Sequence, residues 1–106
     1  MGSTLVESLR KQIGGPRDGA LLRFSLGNAL LADGDPSTAV DELRAALVYD
    51  ATYSAAWKIL GKALQASGDN AGAADAWTRG IAAARLRGDE QAAKEMAVFL
   101  RRITAG

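Results

Sequence analysis

Residues Ser54–Asn70 read SAAWKILGKALQASGDN. Trp57, Leu60, Ala63 and Leu64 recur at the three-to-four-residue spacing of one face of an α-helix. Gly61 interrupts that face at its most apolar point. A glycine inside a helix costs about 1 kcal/mol relative to alanine, because it surrenders more backbone freedom. Its placement beside the stripe therefore needs a reason other than helix propensity.

The same punctuation recurs along the chain. Glycine and aspartate cluster in GGPRDG, ADGDPS, ASGDN and LRGDE, and the segments between are rich in alanine and leucine with helical periodicity. Helices are predicted over 3–14, 19–33, 36–49, 53–67, 70–87 and 89–104. Asp18, Asp35, Asp69 and Asp89 are the expected N-caps, and Pro36 fits a first turn, where its missing N–H has no cost.

Sliding the sequence by 34 residues pairs Leu26 with Leu60, Gly27 with Gly61, Ala29 with Ala63, Leu30 with Leu64 and Ala32 with Ala66. It also pairs Gly34 with Gly68, Asp35 with Asp69, Ala39 with Ala73 and Asp41 with Asp75. This is an internal repeat of two helices per unit. Trp57, Leu60, Gly61 and Leu64 follow the W-x-x-L-G-x-x-Y pattern with leucine in the tyrosine place, and Ala73 with Trp77 follow A-x-x-x-F. The chain thus resembles the tetratricopeptide repeat family. The first copy keeps Leu26, Gly27, Leu30, Ala39 and Leu43 but has Arg23 in the tryptophan place, and neither copy has the closing proline.

The resemblance implies an all-α, right-handed α-solenoid forming one domain over 1–106. Repeat one spans about 20–53 and repeat two about 54–87, with flanking helices at 3–14 and 89–104. Helix A of each repeat packs tightly on its own helix B, so Gly61 is expected to admit Ala73, and Gly27 to admit Ala39. Helix 3–14 reads as a degenerate helix B, with Leu5 and Leu9 in the places of Ala39 and Leu43. Helix 89–104 carries Ala92, Met96, Phe99, Leu100 and Ile103 on one face, as the final helix of an array needs.

Composition narrows the chemistry. The 106-residue chain is 48% hydrophobic and 24% charged, and 13 Lys plus Arg against 12 Asp plus Glu leave a net charge of +1. That balance carries no general drive toward nucleic acid or an anionic membrane. With no Cys and no His, thiolate nucleophiles, imidazole bases and the common zinc sites are excluded. No apolar run approaches the roughly 20 residues that span a bilayer, and MGSTLVESLRKQ lacks the pattern of a secretory signal. A cytoplasmic protein without enzymatic activity, cofactor, nucleic-acid partner or membrane partner is the expectation.

Paired carboxylates Asp33/Asp35 and Asp89/Glu90 are read as helix-start residues complementing the helix dipole. Tyr49 and Tyr53 are expected half-buried at the inter-repeat turn. By resemblance, the inner face of the array is lined by Leu21, Phe24, Asn28, Leu31 and Ala32 in the first copy. In the second it is lined by Ala55, Lys58, Lys62, Gln65 and Ala66. The stripe is apolar in one copy and cationic in the other. The family's carboxylate clamp finds only Asn28 here, since Phe24 and Ile59 occupy its other places.

Two functional readings follow. One is an adaptor whose inner face binds a peptide or helix of a partner protein, acidic beside an apolar anchor. The other is an assembly domain, with that face covered by the N-terminal helix or by a second copy in a homodimer.

Overall fold

The computed structural model describes residues 3–105. Among them stand helices α1 (Thr4–Arg10), α2 (Ala20–Ala32), α3 (Pro36–Tyr49), α4 (Ser54–Ala66), α5 (Asn70–Arg87) and α6 (Glu90–Ala105), with no strand. The expected helices all form.

Each helix hairpin is closed by one local device. Gly34 and Gly68 take the left-handed backbone (φ 82° and 86°) that only glycine adopts without strain. Gly34 N–H then donates to Leu31 O at 3.1 Å and Asp35 N–H to Leu30 O at 2.9 Å, which satisfies the last carbonyls of α2. Asp35 begins the next helix in the same step, its carboxylate accepting Thr38 N–H, with Pro36 in the first turn. Asp69 does the same for α5 through Gly72 N–H at 2.8 Å, and Asp89 for α6 through Ala92 N–H at 3.1 Å.

Asp18 departs from expectation. The residue before α2 is Gly19, which makes no side-chain cap. Asp18 instead accepts Gly14 N–H at 2.9 Å and the guanidinium of Arg23 at 2.8 Å, tying the first loop to α2. Asp18 lies one residue before the N-cap position, which Gly19 holds, so its carboxylate is left to the guanidinium. Asp33 also departs: it ends α2 rather than starting a helix, and accepts Ser3 N–H at 2.9 Å.

The helices stack as an α-solenoid. α2 packs on α3 and α4 on α5, while α3 also packs on α4 and α5 on α6. α2 meets α4 and α4 meets α6, but the backbones of α3 and α5 do not approach closely. The hairpins therefore converge along α2, α4 and α6 and splay along α3 and α5. The first set is the inner row of a curved array.

The core runs through Leu26, Leu43, Trp77 and Met96, all essentially fully buried, with Ala39, Ala46, Ala73 and Ala84 between them. Gly61 faces Trp77 here, not Ala73 as expected. A Cβ on Gly61 would stand 2.6 Å from Trp77 Cδ1, with two other indole atoms nearer still. Gly27 faces Leu43 in the same way, at 2.6 Å from Cγ, and there the Ala39 carbonyl oxygen also approaches to 3.3 Å. Gly80 repeats the device one interface on, where a Cβ would stand 2.5 Å from Met96 Sδ and 2.7 Å from Trp57 Cβ.

The N-terminal helix is shorter than expected. It ends at Arg10, and residues 11–14 continue only as turns, with Gln12 N–H to Leu9 O and Ile13 N–H to Arg10 O. Gly14, Gly15 and Pro16 follow, and the residue before proline resists helical geometry. α1 packs on α2 alone. Its buried anchor is Val6, Leu9 is half-buried, and Leu5 is 57% exposed. Of the two leucines expected to pack, only Leu9 does.

Candidate functional site

The inner row carries two clefts. In the first, Phe24, Asn28 and Ala32 project from α2 at three-to-four-residue spacing and meet Leu5 and Leu9 of α1 across a cleft of about 460 Å³. Phe24 is half-buried and rests against the ring of Tyr53, with centroids 5.1 Å apart. Burial and the nearby Asp50 carboxylate raise the Tyr53 phenol above its ordinary pKa. Leu31 is half-buried against the core, and Leu21 stands 70% exposed on the first turn of α2. Tyr49, expected half-buried, is 56% exposed because the turn carries only Tyr53 inward.

The second cleft, about 370 Å³, lies at the other end of the row. Lys62 and Gln65 of α4 and Phe99 and Arg102 of α6 line it, with Trp77 as floor. Lys62 Nζ sits 4.8 Å from the centroid of the Phe99 ring, whose negative face attracts the ammonium. Phe99 is itself set by Trp77, at a centroid distance of 5.4 Å.

Lys58 plays a different part from the one the resemblance implied. Its ammonium donates to Glu95 Oε1 at 2.9 Å, so its charge is already matched within the chain. This hydrogen bond, with a further one from Gln91, holds the Glu95 carboxyl below its usual pKa. Lys58 thus ties α4 to α6.

The repeats are fastened by further polar links. Ser54 Oγ–H donates to Asp89 Oδ2 at 2.6 Å, and the Arg87 guanidinium grips both oxygens of Asp50 at 2.7 Å. Trp57 is buried, its Nε1–H donating to Ala51 O at 2.8 Å, and Arg79 lies 4.8 Å over its ring. In the first copy Arg23 replaces that indole and joins Asp18 to Glu42 (3.1 Å), which is why an arginine is tolerated in an aromatic's place.

Sequence reading missed Phe99 and Arg102 as inner-face residues. A signal for Phe99 existed, since the same 34-residue slide carries Leu31 to Gln65 and Gln65 to Phe99. The contribution of Leu5 and Leu9 to the first cleft had no such signal, because α1 keeps too little of the repeat.

Paired helices stacked with one row inward define an α-solenoid of the kind that serves protein–protein interaction. No family model matches the sequence. Over 99 residues, however, the chain is 50% identical to the TPR repeat-containing protein PA0015 of Pseudomonas aeruginosa, an overlap spanning 93% of this chain and 94% of that protein. The chain belongs to the tetratricopeptide repeat family. Protein BPP2914 from Bordetella parapertussis has a solved structure that is similar throughout, with 48% identity, a TM-score of 0.84 and coverage of 97% and 90% of the two chains. The TPR domain of Sgt2 from Aspergillus fumigatus (TM-score 0.72, 21% identity, 95% of this chain and 69% of that one) shares the fold. So does MamA (0.70, 20%, 94% and 65%). Proteins of this family are in general non-catalytic interaction modules. Among the described residues, no helix is long and apolar enough to cross a membrane.

Proposed function

We propose that this protein is an adaptor whose inner face holds a segment of a partner protein. The partner's apolar anchor enters the cleft of Leu9, Phe24, Asn28 and Ala32, and its acidic group meets Lys62 and Arg102. One observation carries the reading: a single row of helices bears an apolar cleft at one end and a cationic, aromatic-floored cleft at the other. Burial of an apolar anchor supplies affinity, at about 25 cal/mol per Å² before ordering costs. Charge complementarity supplies rate and selectivity. A cytoplasmic location is part of the proposal, and cell fractionation tests it.

The deciding experiment is affinity capture with the purified protein, followed by titration of the captured partner's binding segment. Phe24→Ala and Lys62→Glu, each shown by circular dichroism to stay folded, should weaken that segment at least tenfold, and added salt should weaken it further. Wild-type affinity in both variants overturns the proposal. Leu21 and Leu5 leave apolar surface open near the first cleft, which supports the assembly reading as the second choice. A concentration-dependent dimer abolished by Leu21→Glu would put that reading first.

A further inference from the structure

The outer surface carries a groove that the adaptor reading does not use. α3 and α5 splay apart, and the gap between them is floored by Trp57 and Leu60 of α4. Leu47, Val48 and Arg44 form the α3 wall and Arg79 stands on the α5 side, enclosing about 290 Å³.

Two features of this groove ask for an occupant. Val48 is 86% exposed at its lip, although it is aliphatic. Two guanidinium groups also share the groove with little to neutralise them. Arg44 is exposed, and among the described residues no carboxylate lies within ion-pair distance of it. Arg79 has only Asp75, at 3.7 Å and with both side chains about two-thirds exposed, beside its contact with the Trp57 ring. Like charges in one cleft repel, and a carboxylate between them would be held from both sides.

We propose that this outer groove docks an acidic, aliphatic segment of a protein: an Asp or Glu between Arg44 and Arg79, with a Leu, Ile or Val against Leu47, Val48 and Leu60. The lining selects protein over nucleic acid. Base stacking needs a free aromatic face, whereas the Trp57 indole is buried and already covered by Arg79. Tracking a phosphate backbone needs a row of cations, and this groove has two.

The test is selection of a random 12-residue peptide display library on the whole protein, with the winners titrated by calorimetry. Enriched peptides should place Asp or Glu within one helical turn of Leu, Ile or Val. Their affinity should fall at least tenfold on Arg44→Glu and on Val48→Glu, two exposed positions, each variant first shown by circular dichroism to remain folded. It should be unchanged on Phe24→Ala, which separates this groove from the inner face. Failure to enrich any peptide overturns the proposal, as do winners without a carboxylate or winners indifferent to both outer variants. So does a shift of the Val48 methyl resonances by single-stranded RNA or phosphatidylserine vesicles but by no peptide.

Discussion

The indole of Trp77 lies across the backbone of Gly61, and its Nε1–H donates to the carbonyl of Lys58 at 3.1 Å on the same helix. Glycine in α4 and tryptophan in α5 are therefore one packing unit. The helix-propensity cost of the first is offset by the contacts of the second. Leu43 over Gly27 is the same unit with an aliphatic lid.

Gly61→Ala should destabilise the protein, although alanine is the better helix former. The new methyl has no room, because Trp77 is buried and anchored by its hydrogen bond. Overpacking of this kind costs about 1–3 kcal/mol, against roughly 1 kcal/mol gained in propensity. The larger Gly61→Leu should cost several kcal/mol. Thermal unfolding checks both, and a Tm equal to wild type in Gly61→Leu would mean the two helices do not meet there.

Removing residues 89–106 should leave a chain that aggregates or loses cooperative unfolding. Met96 is fully buried over Gly80, Ala92 and Ala93 are buried, and Phe99 packs on Trp77. Each large apolar side chain contributes about 1.5–3 kcal/mol when buried, so the sum rivals the stability of a small domain. Met96→Ala is the finer version, with an expected loss of about 2–5 kcal/mol in urea denaturation. A soluble, cooperatively folding fragment ending near Arg87 would show that α6 is no cap.

Acid should destabilise the fold through named carboxylates. Arg23 holds Asp18 well below the usual carboxylate pKa, and Arg87 lowers that of Asp50, Ser54 that of Asp89 and Lys58 that of Glu95. Each folded-state value is depressed. The stability it contributes is therefore present above the unfolded value, near 4, and is lost as pH falls through the folded value. The urea midpoint should be flat from pH 7 to about 5 and then decline progressively. Asp18→Asn should lower the midpoint at neutral pH and make the acid decline shallower. An unchanged decline in that variant would remove the Arg23 pair from the account.

Lys58 and Lys62 should separate in function despite lying one turn apart on the same helix. Lys58 is matched by Glu95, so Lys58→Met should change partner affinity less than twofold. Lys62→Glu faces the cleft with Arg102 and should reduce it at least tenfold. Calorimetric titration of the partner segment reads both. The reverse order would mean that the Lys58–Glu95 pair opens on binding.

The architecture was legible in the sequence because its determinants are local and periodic. Apolar residues at helical spacing, aspartate caps at 35, 69 and 89, and glycine at 34 and 68 each act within a few residues of chain. A 34-residue repeat of such signals defines stacked hairpins without any knowledge of contacts. Part of the inner-face stripe was legible through the family resemblance, whose places select Phe24, Asn28, Lys62 and Gln65, and these residues line the two clefts.

Only the tertiary structure decided which side chains meet. Gly61 receives Trp77 rather than Ala73, Asp18 leaves its expected cap for Arg23, and Glu95 takes the charge of Lys58. Phe99 and Arg102 complete one cleft from the last helix, and Arg44 and Arg79 face an outer groove that no single repeat contains. Spacing along one helix fixes the direction of a side chain. Its partner stands on another helix, and the choice among nearby partners depends on volume, reach and charge once the helices have packed.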